Sequence, residues 1–138
     1  MDETLFMIKP DAVQGHKIGL ILAEVERAGF EILDMRFVRL NPKDARLFYA
    51  VHEGKPFLEE LVAFMSSGPA VPCRLRHANA VPALRELIGA TDPKQASPGT
   101  IRALYAESKG RNAVHASDSP ENARAEIAFF FGDGNARR

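Results

Sequence analysis

Leu5-Phe6-Met7-Ile8-Lys9-Pro10-Asp11 is the stretch on which the fold turns: four apolar residues without a break, stopped by a cation, a proline and a carboxylate. A strand with one wet face alternates polar and apolar side chains, so an unbroken run points to a strand covered on both faces, near the middle of a sheet. Lys9 then stands at a strand end. Ile18, Ile21, Leu22 and Val25 follow at helical spacing, with Gly29 just past them as a stop. Leu33, Met35 and Phe37 alternate with Asp34, Arg36 and Val38, the pattern of a half-exposed strand suited to antiparallel pairing.

Asn41-Pro42-Lys43-Asp44 opens a short helix through Phe48, after which Tyr49 and His52 lie one turn apart and can face one side. A second helix starts at Pro56, with Phe57, Leu61, Phe64 and Met65 as its expected core stripe. Val71, Cys73 and Leu75 against Pro72, Arg74 and Arg76 predict a strand, which Pro72 places at an edge or a bulge. Asn79 is expected to cap a helix carrying Val81, Leu84 and Ile88, closed by Gly89. From Ala90 to Arg111 the chain is irregular, with one helix-periodic piece at Ile101-Leu104-Tyr105; a loop of this length in a compact domain is functional or disordered. A short strand around Ala113-Val114 and a last helix complete the order. That order predicts a single domain over residues 1–138, an α+β sandwich of ferredoxin-like type: a four-stranded antiparallel sheet with helices on one face.

The 138 residues are 46% hydrophobic and 26% charged, ordinary for a globular domain with a real core. Eighteen basic and eighteen acidic side chains cancel, so no overall field draws the chain to nucleic acid or an anionic membrane. Any polyanion site is local. Cys73, the lone cysteine, reads as a buried thiol in a reducing compartment. The acidic start and the lack of any apolar run near the roughly 20 residues of a membrane span leave the cytoplasm as the expected location.

A second stretch carries the chemistry. Asn112-Ala113-Val114-His115-Ala116-Ser117-Asp118-Ser119 packs a histidine, an amide, two hydroxyls and a carboxylate into one turn. Ser119-Pro120-Glu121 then starts a helix with an N-cap serine, a proline at the first position and an acid in the first turn, and Ala123, Ile127, Phe130 and Phe131 mark its inner face. His115 lies about four residues before this helix, roughly 13 Å of extended chain, and Glu126 about seven residues into it, roughly 10 Å along its axis. A returning helix can therefore set Glu126 beside His115. On spacing alone the stretch equally reads as a turn and a cap, with His115 a satisfied polar residue at a strand end.

The motif Asn-x-x-His-[Gly/Ala]-Ser-Asp-Ser, followed by a carboxylate on the next helix, resembles the signature of nucleoside diphosphate kinases. Met7-Ile8-Lys9-Pro10-Asp11-Ala12-Val13, His52-Glu53-Gly54-Lys55-Pro56-Phe57, Ser67-Gly68-Pro69, Leu87-Ile88-Gly89-Ala90-Thr91-Asp92-Pro93 and Pro98-Gly99-Thr100-Ile101-Arg102 are similar to that family in the same order, over nearly the whole chain. The resemblance implies transfer of the γ-phosphoryl group of a nucleoside triphosphate to a nucleoside diphosphate, in a ping-pong exchange through a phosphohistidine at His115. It implies that Ser117 and Glu126 orient the ring, that Tyr49 and His52 reach the phosphates, and that Asn112 with Lys9 bonds the sugar hydroxyl. Lys9, Arg85, Thr91 and Arg102 match the family's phosphate-binding positions, and Phe57 with Leu61 would clamp the base. Mg²⁺ would arrive on the nucleotide's phosphates, since no carboxylate cluster in the sequence would hold it independently. Members of the family are homo-oligomers, hexamers or tetramers, and the tail from Gly132 to Arg138 does not decide between them.

Elementary chemistry agrees with these roles. A histidine with its ordinary pKa near 6.5 is largely neutral at cellular pH and offers a ring lone pair without needing a base. Guanidinium groups give directional, charge-assisted bonds to phosphate oxygens. No Gly-x-x-x-x-Gly-Lys-[Ser/Thr] loop occurs, and Gly54-Lys55 runs into Pro56, which excludes a P-loop enzyme. An RNA-binding sheet needs exposed strand aromatics and local basic charge, whereas this chain has 8% aromatics and zero net charge. His115, Ser117 and Asp118 stand too close in sequence to converge as an acyl-transfer triad, and no nucleophile elbow is present. A silent family member acting through protein contacts would be expected to have lost a catalytic position, and none is lost. The sequence departs from the commoner family pattern at Arg76-His77, Leu104 and Lys109, none of them a transferring group.

Overall fold

The computed structural model describes residues 2–132. In chain order its elements are β1 (Asp2–Ile8), α1 (Pro10–Gln14), α2 (Ile18–Arg27), β2 (Glu31–Met35), α3 (Pro42–Phe48), a 3-10 turn at Ala50–His52, α4 (Leu58–Met65), β3 (Val71–His77), α5 (Ala80–Ile88), α6 (Ile101–Tyr105), β4 (Val114–Ala116) and α7 (Pro120–Phe131). The strands form one antiparallel sheet in the order β2-β3-β1-β4. β1 is interior, and Leu5 to Ile8 are fully buried, as the unbroken apolar run requires.

The pleat of β1 divides the core in two. Phe6 and Ile8 meet Ile21 and Val25 of α2, Cys73 and Leu75 of β3, and Leu84 and Ile88 of α5. Leu5 and Met7 point the other way, onto Phe48 of α3, Val62 and Met65 of α4, and Phe130 and Phe131 of α7. Helices thus cover both faces of the sheet, not the single face expected from the element order. The reason lies in β1 itself: burying one large apolar side chain contributes about 1.5–3 kcal/mol, and one-sided cover would leave Leu5 and Met7 wet.

Three further expectations shift. The alternation expected over residues 33–38 does not sort burial: β2 ends at Met35, Ile32 packs on the core while Met35 and Phe37 are 48% and 67% exposed, and the pairing with β3 slips between Ile32 and Asp34. Period two says which residues share a face, not which face is inner. β3 is interior despite Pro72. The Pro72 carbonyl accepts from Arg36 N–H at 3.1 Å, so its missing donor faces the β2 side, one step beyond the last β2 pair, Met35 with Cys73. On α4 the buried stripe is Leu58, Val62 and Met65, while Phe57 caps the helix and is 46% exposed.

The end signals mostly hold. Asn41 Oδ1 accepts from Asp44 N–H at 2.8 Å, and Ser119 Oγ from Asn122 N–H at 3.1 Å. Asn79 caps α5 by position only, since its side chain makes no capping bond; its backbone N–H donates to His77 Nδ1 at 3.0 Å. The departures at residues 76 and 77 have local partners: Arg76 Nη2 bonds Glu31 Oε1 at 2.6 Å across the strands, and the His77 ring stacks on Phe30 with centroids 4.4 Å apart. Among the described residues no helix is long and apolar enough to cross a membrane. The tail beyond Gly132 lies outside the described residues.

Candidate active site

β4 sits at the sheet edge beside β1, with His115 opposite Met7. Its neighbours Val114 and Ala116 belong to the Phe6 cluster, so the alternation turns His115 to the other face, toward α3 and α7. There its ring meets Phe48 edge-on at 5.4 Å between centroids and Tyr49 at 6.3 Å. α7 folds back as its spacing allows and brings Glu126 Oε1 to 2.8 Å from His115 Nε2. Ser117 Oγ donates to the same carboxylate oxygen at 2.7 Å and is fully buried. In the tautomer whose Nε2–H donates to the carboxylate, the ring's lone pair lies on Nδ1.

The Tyr49 hydroxyl is buried without a hydrogen-bond partner among the described residues, and burial followed by the Glu126 charge pushes its pKa up, so it remains a proton donor. From Tyr49 a row of rings leads outward: His52 stacks at 6.1 Å, and Phe57 meets His52 edge-on at 5.1 Å. The exposed Phe57 and the half-buried Leu61 stand at the outer end. The core stripe expected for this helix did not foresee the exposure of Phe57.

On the opposite flank Lys9 Nζ donates to Asn112 Oδ1 at 3.0 Å, and Asn112 Nδ2 reaches the Thr91 carbonyl at 3.4 Å. Lys9 is only 9% exposed, and burial, with the Arg102 charge adding to it, lowers its pKa from 10.5 to about 8. Arg102 is held by backbone: Nε to Asn112 O at 3.4 Å, Nη1 to Gly89 O at 3.1 Å, and Nη2 to Val114 O at 2.8 Å. A guanidinium carries five N–H groups, so two remain for a ligand. Burial, then Arg85, lowers the Arg102 pKa to about 10, which leaves it cationic near neutrality. Arg85 Nη1 donates to the Ala116 carbonyl at 3.3 Å, next to His115. Thr91 is exposed and enters this set of bonds through its carbonyl alone.

Two residues at the site were given no role there by the sequence. Phe48 is the ring against which His115 packs. Asp11 is buried in α1, a helix that periodicity did not reveal, and its Oδ2 accepts from Ala113 N–H at 3.0 Å across 102 residues of sequence. The Lys-Pro-Asp step was visible, its distant partner was not.

A family model described as nucleoside diphosphate kinase matches residues 2–136. The nucleoside diphosphate kinase of Chlorobium luteolum is 55% identical over 131 residues, covering 95% of this chain and 94% of that one. That of Prosthecochloris aestuarii is 51% identical over 138 residues, covering 100% and 98%. Among solved structures, the nucleoside diphosphate kinase of Aquifex aeolicus superposes with a TM-score of 0.94 at 44% identity, over 96% of each chain. The halophilic enzyme of Halobacterium salinarum, in complex with CDP, gives 0.91 at 40% identity, over 96% of this chain and 89% of that one.

Proposed function

The chain belongs to the nucleoside diphosphate kinase family, and we propose that it moves the γ-phosphoryl group of a nucleoside triphosphate to a nucleoside diphosphate through His115 Nδ1. The observation that carries this reading is the 2.8 Å contact between His115 Nε2 and Glu126, which leaves Nδ1 as the free nucleophile. In the first half-reaction the Nδ1 lone pair forms a bond to the γ-phosphorus while the bond to the β,γ-bridging oxygen breaks. The nucleoside diphosphate departs with that electron pair. The phosphorylated ring keeps its proton on Nε2 and gains positive charge, which Glu126 compensates and Ser117 holds in register. A terminal oxygen of a second diphosphate then attacks the phosphorus, and the electron pair returns to Nδ1.

Little covalent work falls to other groups, so positioning and charge do the rest. Arg85, Arg102, Thr91, Tyr49 and His52 take the phosphates, Lys9 and Asn112 the sugar hydroxyl, and Phe57 with Leu61 the base. A stacked base contributes about 1–3 kcal/mol without reading base identity, which fits an enzyme serving many nucleotides. None of the side chains assigned to the phosphates is a carboxylate, and among the described residues no three His, Cys, Asp or Glu side chains come together in a group that could hold a metal ion. Mg²⁺ would arrive with the nucleotide and would supply charge neutralisation at its phosphates. The reading extends to one domain, a homo-oligomer of four or six copies, and a cytoplasmic setting. Burial pushes the lone Cys73 thiol up to about 12, which supports a structural rather than a reactive thiol.

The test uses γ-labelled ATP and Mg²⁺ without acceptor. Label is expected on His115 as an acid-labile, base-stable phosphoramidate, and any nucleoside diphosphate should discharge it. His115→Ala should abolish both half-reactions with the fold intact. Fast transfer by wild-type protein that never carries acid-labile label would point instead to direct transfer between two bound nucleotides.

A further inference from the structure

Asp11 is 5% exposed in the first turn of α1, and the exchange described above gives it no part. Its Oδ2 takes the Ala113 N–H at 3.0 Å, and its Oδ1 is buried without a partner among the described residues. Ala113 is itself fully buried and has φ +75°, a left-handed conformation that side chains with a Cβ disfavour. The carbonyl of the same residue is also engaged, by Lys9 N–H at 2.8 Å. The corner from Lys9 to Asp11 therefore grips both polar groups of one left-handed residue. One step away the same corner sends Lys9 Nζ to Asn112 Oδ1.

We propose that Asp11 is a positioning residue for the sugar end of the site: its carboxylate holds the Ala113 turn that aims the Asn112 amide, and its charge steadies the Lys9 ammonium bonded to that amide. The inference rests on the reading of Lys9 and Asn112 as the grip on the ribose hydroxyl. Three groups face Lys9 from the elements around it. Arg102 of α6 opposes its charge, as burial does, Asn112 is neutral, and Asp11 is the acid that acts against the first two. Asp11 does so through space, since no Lys9–Asp11 ion pair forms.

The test is made on the full chain. Asp11→Asn keeps an acceptor for Ala113 N–H but removes the charge, and Asp11→Ala removes both. With 13Cε-labelled lysine, Lys9 should titrate at lower pH in Asp11→Asn than in wild type. With a nucleoside diphosphate and its 3′-deoxy analogue as acceptors, Asp11→Ala should shrink the wild-type preference for the 3′-hydroxyl on the order of tenfold, the size expected when one charge-assisted contact is lost. A residue that only props up the fold would lower stability and leave the Lys9 titration and the 3′-hydroxyl ratio where they are. The absence of either effect in folded protein overturns the proposal. If wild type shows no 3′-hydroxyl preference, the sugar grip itself is wrong, and the Lys9 titration alone then decides the part of Asp11. Should either variant fail to fold, both measurements are repeated in an Ala113→Gly background, where glycine takes the left-handed turn unaided.

Discussion

Lys9 shows at the scale of one residue how the site sets stability and activity against each other. Its folded value, about 8, lies below the ordinary 10.5. Between those two pH values the unfolded chain binds a proton that the folded chain has released, so this group makes stability rise with pH across that window, by something of order 3 kcal/mol in full. In nucleotide-free protein the urea midpoint of wild type, relative to Lys9→Met, is expected to climb from pH 8 to pH 10. Parallel midpoints would remove the argument. With Lys9 on the sugar hydroxyl, as proposed, activity should move oppositely, since the uncharged amine would make a weaker contact, and kcat/KM should fall above about pH 8.

At the scale of elements, the loop from α5 to α6 is pinched at one point. Gly89 has φ +86°, and a Cβ there would stand 2.5 Å from Thr100 Oγ1. Thr100 caps α6, and α6 carries Arg102, whose Nη1 bonds the Gly89 carbonyl. Gly89→Ala is therefore expected to cost about 2 kcal/mol or more through strain and overpacking, and to lower kcat/KM by displacing Arg102. Gly29→Ala is the control. Gly29 has φ +92° with nothing within 4 Å of the added Cβ, so the strain should appear in the denaturation curve and the activity should stay. The exposed end of α4 makes the converse case. Phe57→Ala should change stability by under about 0.5 kcal/mol yet raise KM roughly fivefold to a hundredfold for purine and pyrimidine nucleotides alike. A loss confined to one base would show that this ring does more than stack.

At the scale of the molecule, the two sheet edges are unlike. β4 is three residues long, whereas β2 presents five residues of unpaired edge beside the exposed Met35 and Phe37. Long edges flanked by apolar side chains are commonly covered, and here another copy of the chain is the expected cover. Light scattering should give four or six times the 15.2 kDa of one chain. Phe37→Asp should lower that mass while leaving the circular dichroism of the chain unchanged. A monomeric wild type would end the expectation.

Much of this is legible in the sequence, because it depends on neighbours along the chain. The run from Leu5 to Ile8 demanded a buried interior strand, the Asn41 and Ser119 caps placed two helix starts, and the spacing from His115 to Glu126 allowed the contact found at 2.8 Å. What periodicity could not say is which of two alternating faces is inner, since a slip of one residue exchanges them. That is why the outward turn of Phe37 was not legible, whereas Phe57 stands ahead of the buried α4 stripe as its N-cap, and the cover on both faces follows from burial of Leu5 and Met7 opposite Phe6 and Ile8. Nor could local pattern show that Arg102 spends three bonds on carbonyls, or that Asp11 holds Ala113. Those contacts join segments that the chain keeps apart, and only packing around β1 brings their donors and acceptors within reach.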